Sequence, residues 1–232
     1  MRVLTKRQRN ILEVINRFGI ITSTQLIEYL VGQVSHDTVY NAIKKLKELN
    51  LVAVEKVSYS SVVYIRPTGV RFLDSNMSKF TVISYANLEH HLLCNDVILA
   101  LIKISKQRGA EYSFVTEREL RSEFIDKEVP RGKEHDSRVL RGIPDRIPDL
   151  IFTMGGDVGA YEVELNRKSS KRYIEKLSRY EDEILNKKYD FVFYVCESEE
   201  IQNTVVANAK KVKFPSDMLQ IDLLGRLLKF AD

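Results

Sequence analysis

Cysteine is scarce: Cys94 and Cys196 are the only two in 232 residues, far apart and each within an apolar pattern. That leaves no basis for a disulfide framework or a thiolate zinc site, and predicts reduced, buried thiols. Long hydrophobic runs are also lacking. No segment approaches the roughly 18–20 consecutive apolar residues that a membrane span requires. The opening MRVLTKRQRN leads straight into a charged helix without the apolar core of a signal peptide. We therefore expect a soluble, cytoplasmic protein with no membrane partner and no small-molecule cofactor. Internal repeats are absent, and so is a Pro- or Gly-rich linker: NMSKFTVISYAN, residues 76–87, is the one suitable connector, and its composition predicts a rather stiff joint. What is present is a chain 44% hydrophobic, enough for one large core or two smaller ones, and its length favours two domains.

Charge is unevenly spread. Residues 1–75 hold 11 Lys and Arg against 6 Asp and Glu, whereas the remainder holds 25 against 26. An excess of five positive charges in the first third suits contact with a polyanion, although a solvated basic surface has the same composition.

Within that basic third, Thr5 can cap a helix carrying Ile11, Leu12, Ile15 and Phe18 at helical spacing, with Gly19 as its stop. ITSTQLIEYLVG reads as a second helix capped by Thr22 or Ser23, and Ser35 caps a third, HDTVYNAIKKLKELN. LVAVEKV and VVYIRP, separated by SYSS, then read as a hairpin, closed by a short helix in RPTGVRFL. Three helices followed by a hairpin is the order of a winged helix-turn-helix, and residues 5–75 resemble that fold. In it the third helix enters the DNA major groove and the wing rides on the backbone or minor groove. Opposite its apolar stripe the third helix carries His36, Asp37, Tyr40, Asn41, Lys44 and Lys45. Asn41 suits bidentate contact with adenine, and Lys44 and Lys45 suit phosphate. Lys56, Tyr59, Ser60 and Ser61 are the wing candidates. The same polar face would also serve a helix that docks on a protein partner.

From residue 88 the pattern changes. LEHHLLCNDVILALIKISKQ reads as a long helix; His90 and His91 at its start are not read as metal ligands. AEYSFVTE follows as a strand, then a long charged segment to about residue 147, read as a loop whose Arg131, Lys133, Arg138 and Arg141 suit a flap over a nucleic-acid backbone or a flexible insertion. DLIFTM and AYEVEL form a hairpin, SSKRYIEKLSRYEDEILN a helix, YDFVFYVCE a strand, residues 199–210 a helix and DMLQIDLL a last strand. This α-β-β-β-α-β-α-β order predicts a mixed sheet flanked by helices, and hence an α+β chain of residues 1–75, 76–87 and 88–232.

The hairpin carries the densest acidic pattern. With Gly156-Asp157 as a two-residue turn, Asp149 falls opposite Glu164 and Ile151 opposite Glu162. Alternation then sets Asp149, Glu162 and Glu164 on one face, and Leu150, Phe152, Tyr161, Val163 and Leu165 on the other, the core face. Three carboxylates this close repel unless a cation sits among them. Divalent magnesium (Mg2+) fits, held by Asp149 and Glu162 and free to polarise a phosphodiester and activate water. Glu164 and Lys168 would assist catalysis, and Lys171 or Arg172, on the first turn of the next helix, would hold a neighbouring phosphate. An exposed acidic strand face balanced by Arg167 and Lys168 explains the spacing equally well.

The Pro148-Asp149 and Glu162-Val163-Glu164 pattern on consecutive strands resembles the PD-(D/E)XK nuclease superfamily, over about residues 88–224. More narrowly, the winged helix followed by EHHLLCNDV, IPDLIF and YEVELNRKS looks like the replication-relaxation family. That resemblance implies a DNA-binding protein of a plasmid or other mobile element, acting in replication or transfer, with double-stranded DNA, replication or transfer proteins, or a second copy in a homodimer as partners. Glu164 stands where the superfamily has its lysine. The resemblance therefore leaves open an active Mg2+-dependent endonuclease or nickase, a dimeric transcriptional regulator on a catalytically dead nuclease fold, and a DNA-binding protein in which the second domain adds contacts.

Overall fold

The computed structural model describes residues 4–77, 85–133 and 136–231, so most of the 76–87 connector lies outside the described residues. The chain divides into two compact units, Met1–Asn95 and Asp96–Asp232.

In the first unit, α1 (Lys6–Phe18) starts where the Thr5 hydroxyl accepts the Gln8 N–H and the Gln8 side chain accepts the Thr5 N–H. It ends at Gly19, whose φ of 78° is left-handed and whose N–H reaches Ile15 O at 2.8 Å. A three-residue strand, β1 (Ile20–Thr22), follows at once, and Thr22 repeats the capping box with Gln25 to start α2 (Ser23–Tyr29). At three residues β1 is too short to show a period in the sequence, which predicts no strand there. Ser35 caps α3 (His36–Glu48), which buries Val39, Ala42, Ile43 and Leu46. The hairpin of β2 (Val52–Val57) and β3 (Ser60–Ile65) turns at Ser58-Tyr59, tighter than SYSS, because Val57 pairs with Ser60 and Ser58 accepts a φ of 53°. The sheet runs β1-β3-β2, all antiparallel. Then α4 (Pro67–Phe72) begins with proline, whose missing N–H costs nothing at a helix start.

The long helix α5 (Tyr85–Gln107) belongs to both units. Its first turns are tied to the first: Leu88 and Leu92 pack on Ile20 and Val62. The Gln25 amide donates to Leu92 O at 2.8 Å, and the Asn95 amide to Ile20 O at 2.9 Å. His90 and Cys94, one turn apart at i and i+4, lie side by side with Sγ 3.7 Å from Nδ1. Both cysteines are buried and neither is in a disulfide, as expected.

The second unit is a five-stranded mixed sheet in the order β4-β5-β6-β7-β8. β4 (Tyr112–Thr116), β5 (Leu150–Met154) and β6 (Asp157–Glu164) are antiparallel neighbours. β7 (Phe191–Cys196) and β8 (Leu219–Leu223) continue parallel to β6 through the crossover helices α8 (Ser170–Leu185) and α9 (Glu199–Val212). An unexpected short helix, α10 (Leu224–Ala231), follows β8. The protein is thus α+β with a mixed sheet, as the element order predicted.

Two sequence readings are corrected. The charged segment after β4 is largely helical: α6 (Glu117–Glu128) begins at a Thr116–Glu119 capping box, and α7 (Ser137–Arg141) and a 3-10 turn at Ile143–Asp145 follow. Its few apolar residues suffice, since Leu120, Ile143 and Ile147 form a buried cluster with Phe124, Ile125 and Leu140. Arg131, Lys133, Arg138 and Arg141 are exposed. The other correction is register. The β5–β6 turn is Gly155-Gly156, with φ of 61° and 103°, and Met154 pairs with Asp157. Only glycine takes two positive φ values without cost, and the resulting turn matches the twist of the strands. Asp149 therefore falls opposite Glu162, with its N–H bonded to Tyr161 O at 3.0 Å. The partner shifts by two residues, so the division between faces is unchanged.

A close approach in the first unit gives a test. A Cβ on Gly69 would run into the Leu51 carbonyl oxygen and the Ile65 side chain. Gly69→Ala is expected to lower stability by about 1–3 kcal/mol through overpacking, read as a fall in urea midpoint.

Candidate functional site

β6 lies between β5 and β7, and its residues from Gly159 to Glu164 are buried on both faces of the sheet. Glu162 and Glu164 point to the side of Ala160, into the core made by α8, α9 and β7, and are 0% and 1% exposed. The reading of an exposed acidic face is thereby overturned. An ionised carboxylate in such a place needs partners, because desolvation without them costs several kcal/mol.

α8 supplies them. Its inward stripe is Tyr173, Lys176, Leu177, Tyr180 and Ile184, a helical spacing in which one core position is lysine. The Lys176 ammonium is bonded to Glu162 Oε2, and the Tyr180 hydroxyl donates to Glu162 Oε1. Lys168, in the loop before α8, sits 2.7 Å from Glu164 Oε1, and its N–H reaches the Tyr173 hydroxyl at 3.4 Å. Asp149, just before β5, accepts the Val163 N–H on Oδ2 at 2.8 Å. Glu164 Oε2 and the Tyr194 hydroxyl are buried without a hydrogen-bond partner among the described residues.

Asp149, Glu162 and Glu164 share one side of the hairpin, as its alternation predicted, and Lys168 joins them through Glu164. Lys171 and Arg172 turn to other acids, Glu175 at 3.7 Å and Asp145 at 2.7 Å. Lys176 and Tyr180 were missed. The signal was the lysine itself, standing at a core position between Tyr173 and Leu177.

Burial is the main force on these groups. It pushes the Glu164 carboxyl up to about 7, against the pull of Lys168, while Glu162 adds to the push. Burial also raises Glu162, opposed by Lys176 and reinforced by Asp149. For Lys168, burial alone would favour the neutral amine, but Glu164 and Glu162 outweigh it and raise its affinity for the proton. Tyr180 and Tyr194 are held well above the usual phenol range, first by burial and then by Glu162.

In the first unit, His36, Tyr40, Asn41, Lys44 and Lys45 all lie exposed on α3, and Lys56, Tyr59 and Ser60 are exposed on the hairpin. Tyr40 is 53% exposed and Tyr59 fully so. Neither aromatic contributes to the core.

The replication-relaxation profile matches residues 12–191, which takes in all of α1 from its second half, the α3 face, the hairpins and the carboxylate cluster. The chain belongs to the replication-relaxation family. Membership points to a role in the replication or transfer of mobile elements. No curated protein and no solved structure matches the chain.

The sequence places a Mg2+ at Asp149 and Glu162, and the donor atoms there decide whether they suit it. A catalytic Mg2+ keeps several waters and needs carboxylate oxygens that face it. Both Glu162 oxygens already accept charge-assisted or hydroxyl hydrogen bonds, and the side chain has no exposed surface. A hydrated ion would have to displace Lys176 or Tyr180. As arranged, the residues do not fit a site built on Asp149 and Glu162.

Two measurements probe this cluster. Breaking the buried pair with Glu162→Gln or with Lys176→Met is expected to cost about 3–5 kcal/mol each, and Glu162→Leu with Lys176→Met together less than the sum, in denaturant unfolding. The second concerns pH. Between the ordinary carboxyl value of 4.5 and about 7, the folded chain keeps a proton on Glu164 that the unfolded chain has released. Stability should therefore fall as pH rises through that window. In Glu164→Gln that part of the slope is expected to vanish, leaving the contribution of Glu162.

Proposed function

We propose that the protein binds duplex DNA through its first unit, a winged helix-turn-helix, and serves replication or transfer of its mobile element in that way. The second unit, on this reading, is a PD-(D/E)XK-type fold kept for contacts with DNA or a protein partner, its carboxylates neutralised by lysines instead of metal. The observation that carries the DNA reading is the outward face of α3. A helix whose other side is fully buried presents Tyr40, Asn41, Lys44 and Lys45 to solvent, next to a hairpin tipped by an exposed tyrosine. Lysines flanking an amide suit phosphates beside a base edge.

One observation favours a second reading, a Mg2+-dependent endonuclease or nickase: Glu164 Oε2 is a buried acid oxygen with no partner among the described residues. Supercoiled plasmid with Mg2+ or Mn2+ separates the two. We expect no nicking; nicking that Asp149→Ala abolishes would establish the enzyme. For the DNA reading, Lys44→Ala/Lys45→Ala is expected to weaken binding evenly across sequences and to reduce the slope of log affinity against log salt by about 2. Asn41→Ala should cost about 1–3 kcal/mol and relax preference at a single base pair. An unchanged slope in the lysine variant would remove α3 from the DNA interface. A footprint of two half-sites about one turn apart would mark a dimer.

A further inference from the structure

The second unit holds a cavity of about 340 Å3 between the start of α8 and one side of α9. Its volume falls in the range of small-ligand sites, and its wall is an open one built almost wholly from polar and charged residues. No aromatic lines it, and Ala207 is its only apolar residue. Three cations do: Arg167, Lys168 and Lys211. The only acid in the wall is Glu200, and its 3.4 Å pair with Arg167 joins two largely exposed side chains, a contact worth little in water.

The wall is also built. Asn208 is 2% exposed, and its amide is fixed by donation to Thr204 O at 2.8 Å. Its carbonyl oxygen accepts from the Ser170 hydroxyl and from Lys211 at 3.4 Å, while Lys211 also reaches Ser170 Oγ at 3.2 Å. A buried amide thus holds a hydroxyl and an ammonium side by side at the first residue of a 16-residue helix, whose positive end adds to the field. Ordering a long lysine side chain normally costs conformational entropy; here that cost is met by the fold before a ligand arrives.

We infer that this cavity binds a phosphoryl group, either a phosphate of a polynucleotide backbone or that of a free nucleotide. Arg167 supplies the planar fork, Lys211 the point charge and Ser170 the neutral contact. Lys168 links the cavity to the carboxylate cluster, since it lines the one and is bonded to Glu164 in the other. The site is independent of the α3 face, so loss of DNA binding there would leave it standing.

The test uses the full chain with inorganic phosphate, a nucleoside monophosphate and a DNA duplex, titrated by calorimetry and by anisotropy. Arg167 and Lys211 are exposed, so Arg167→Gln and Lys211→Gln are expected to keep the wild-type melting temperature. Ser170→Ala provides a third variant that alters no charge. Exposed Lys229→Gln is the control, with unchanged binding. If the source is the polynucleotide, each charge variant weakens duplex binding about tenfold or more and reduces the salt slope by about one, and the nucleotide does not compete. If the source is a free nucleotide, the nucleotide binds saturably and the same variants weaken it, with duplex affinity unchanged. If the variants fold and none of the three probes loses affinity relative to the Lys229→Gln control, the inference is overturned.

Discussion

Everything in the second unit is arranged around a charge that should not be where it is. Glu162 lies in the middle of a five-stranded sheet with neighbours on both sides and a helix above it. Burying a carboxylate alone costs more than a small domain can supply. α8 must therefore bring an ammonium and a hydroxyl to it, and that requirement fixes which face of α8 turns inward. Lys176 and Tyr180, one helical turn apart, meet the two oxygens of one carboxylate only if α8 lies in one rotation and one axial position over β6. Hydrophobic packing of Tyr173, Leu177 and Ile184 would tolerate small slides. The ionic contact tolerates far fewer. Such pairs add little net stability over an apolar substitute, but breaking one by removing a single partner is costly.

The same demand explains the neighbours. Glu164, two residues on, points the same way and meets Lys168 before α8 begins. Asp149, brought opposite Glu162 by the Gly155-Gly156 turn, spends one oxygen on the Val163 N–H, a backbone group beyond the end of the β5 ladder. A glycine turn, a carboxylate pair and a lysine in a helix stripe are thus parts of one constraint. In the first unit a different device recurs: Thr5–Gln8 and Thr22–Gln25 are capping boxes that start α1 and α2. There local hydrogen bonds set the elements, and the exposed face of α3 is left free of structural duty.

Much of the fold was legible because it is written in short-range chemistry. Ser35 before HDTVY, Gly19 after Phe18 and alternating apolar residues around Glu162 each name an element by a rule that spans a few residues. The strands and crossover helices appear in the expected order, and the separation of faces on the hairpin holds even though its register was read two residues out. An even slip preserves which residues share a face, so the grouping of Asp149, Glu162 and Glu164 was safe from that error. The segment after Thr116 was not legible. Its charge hid an apolar minority, and Leu120, Ile143 and Ile147 are far apart in the chain and gain meaning only when they meet.

The sequence by itself determined the order of the longer strands and helices outside the segment after Thr116, the caps of α1 to α3, the two-sided pattern of the β5–β6 hairpin and the outward chemistry of α3, because each depends on neighbours within a turn or a strand. The tertiary structure alone decided whether the carboxylate face met water or a helix. No local rule says that Lys176, 14 residues from Glu162, would be its partner. That depends on where α8 crosses the sheet, and the crossing is set by all the side chains beneath it at once. The cation that the acidic pattern called for is supplied from within the chain, and only the packing could say so.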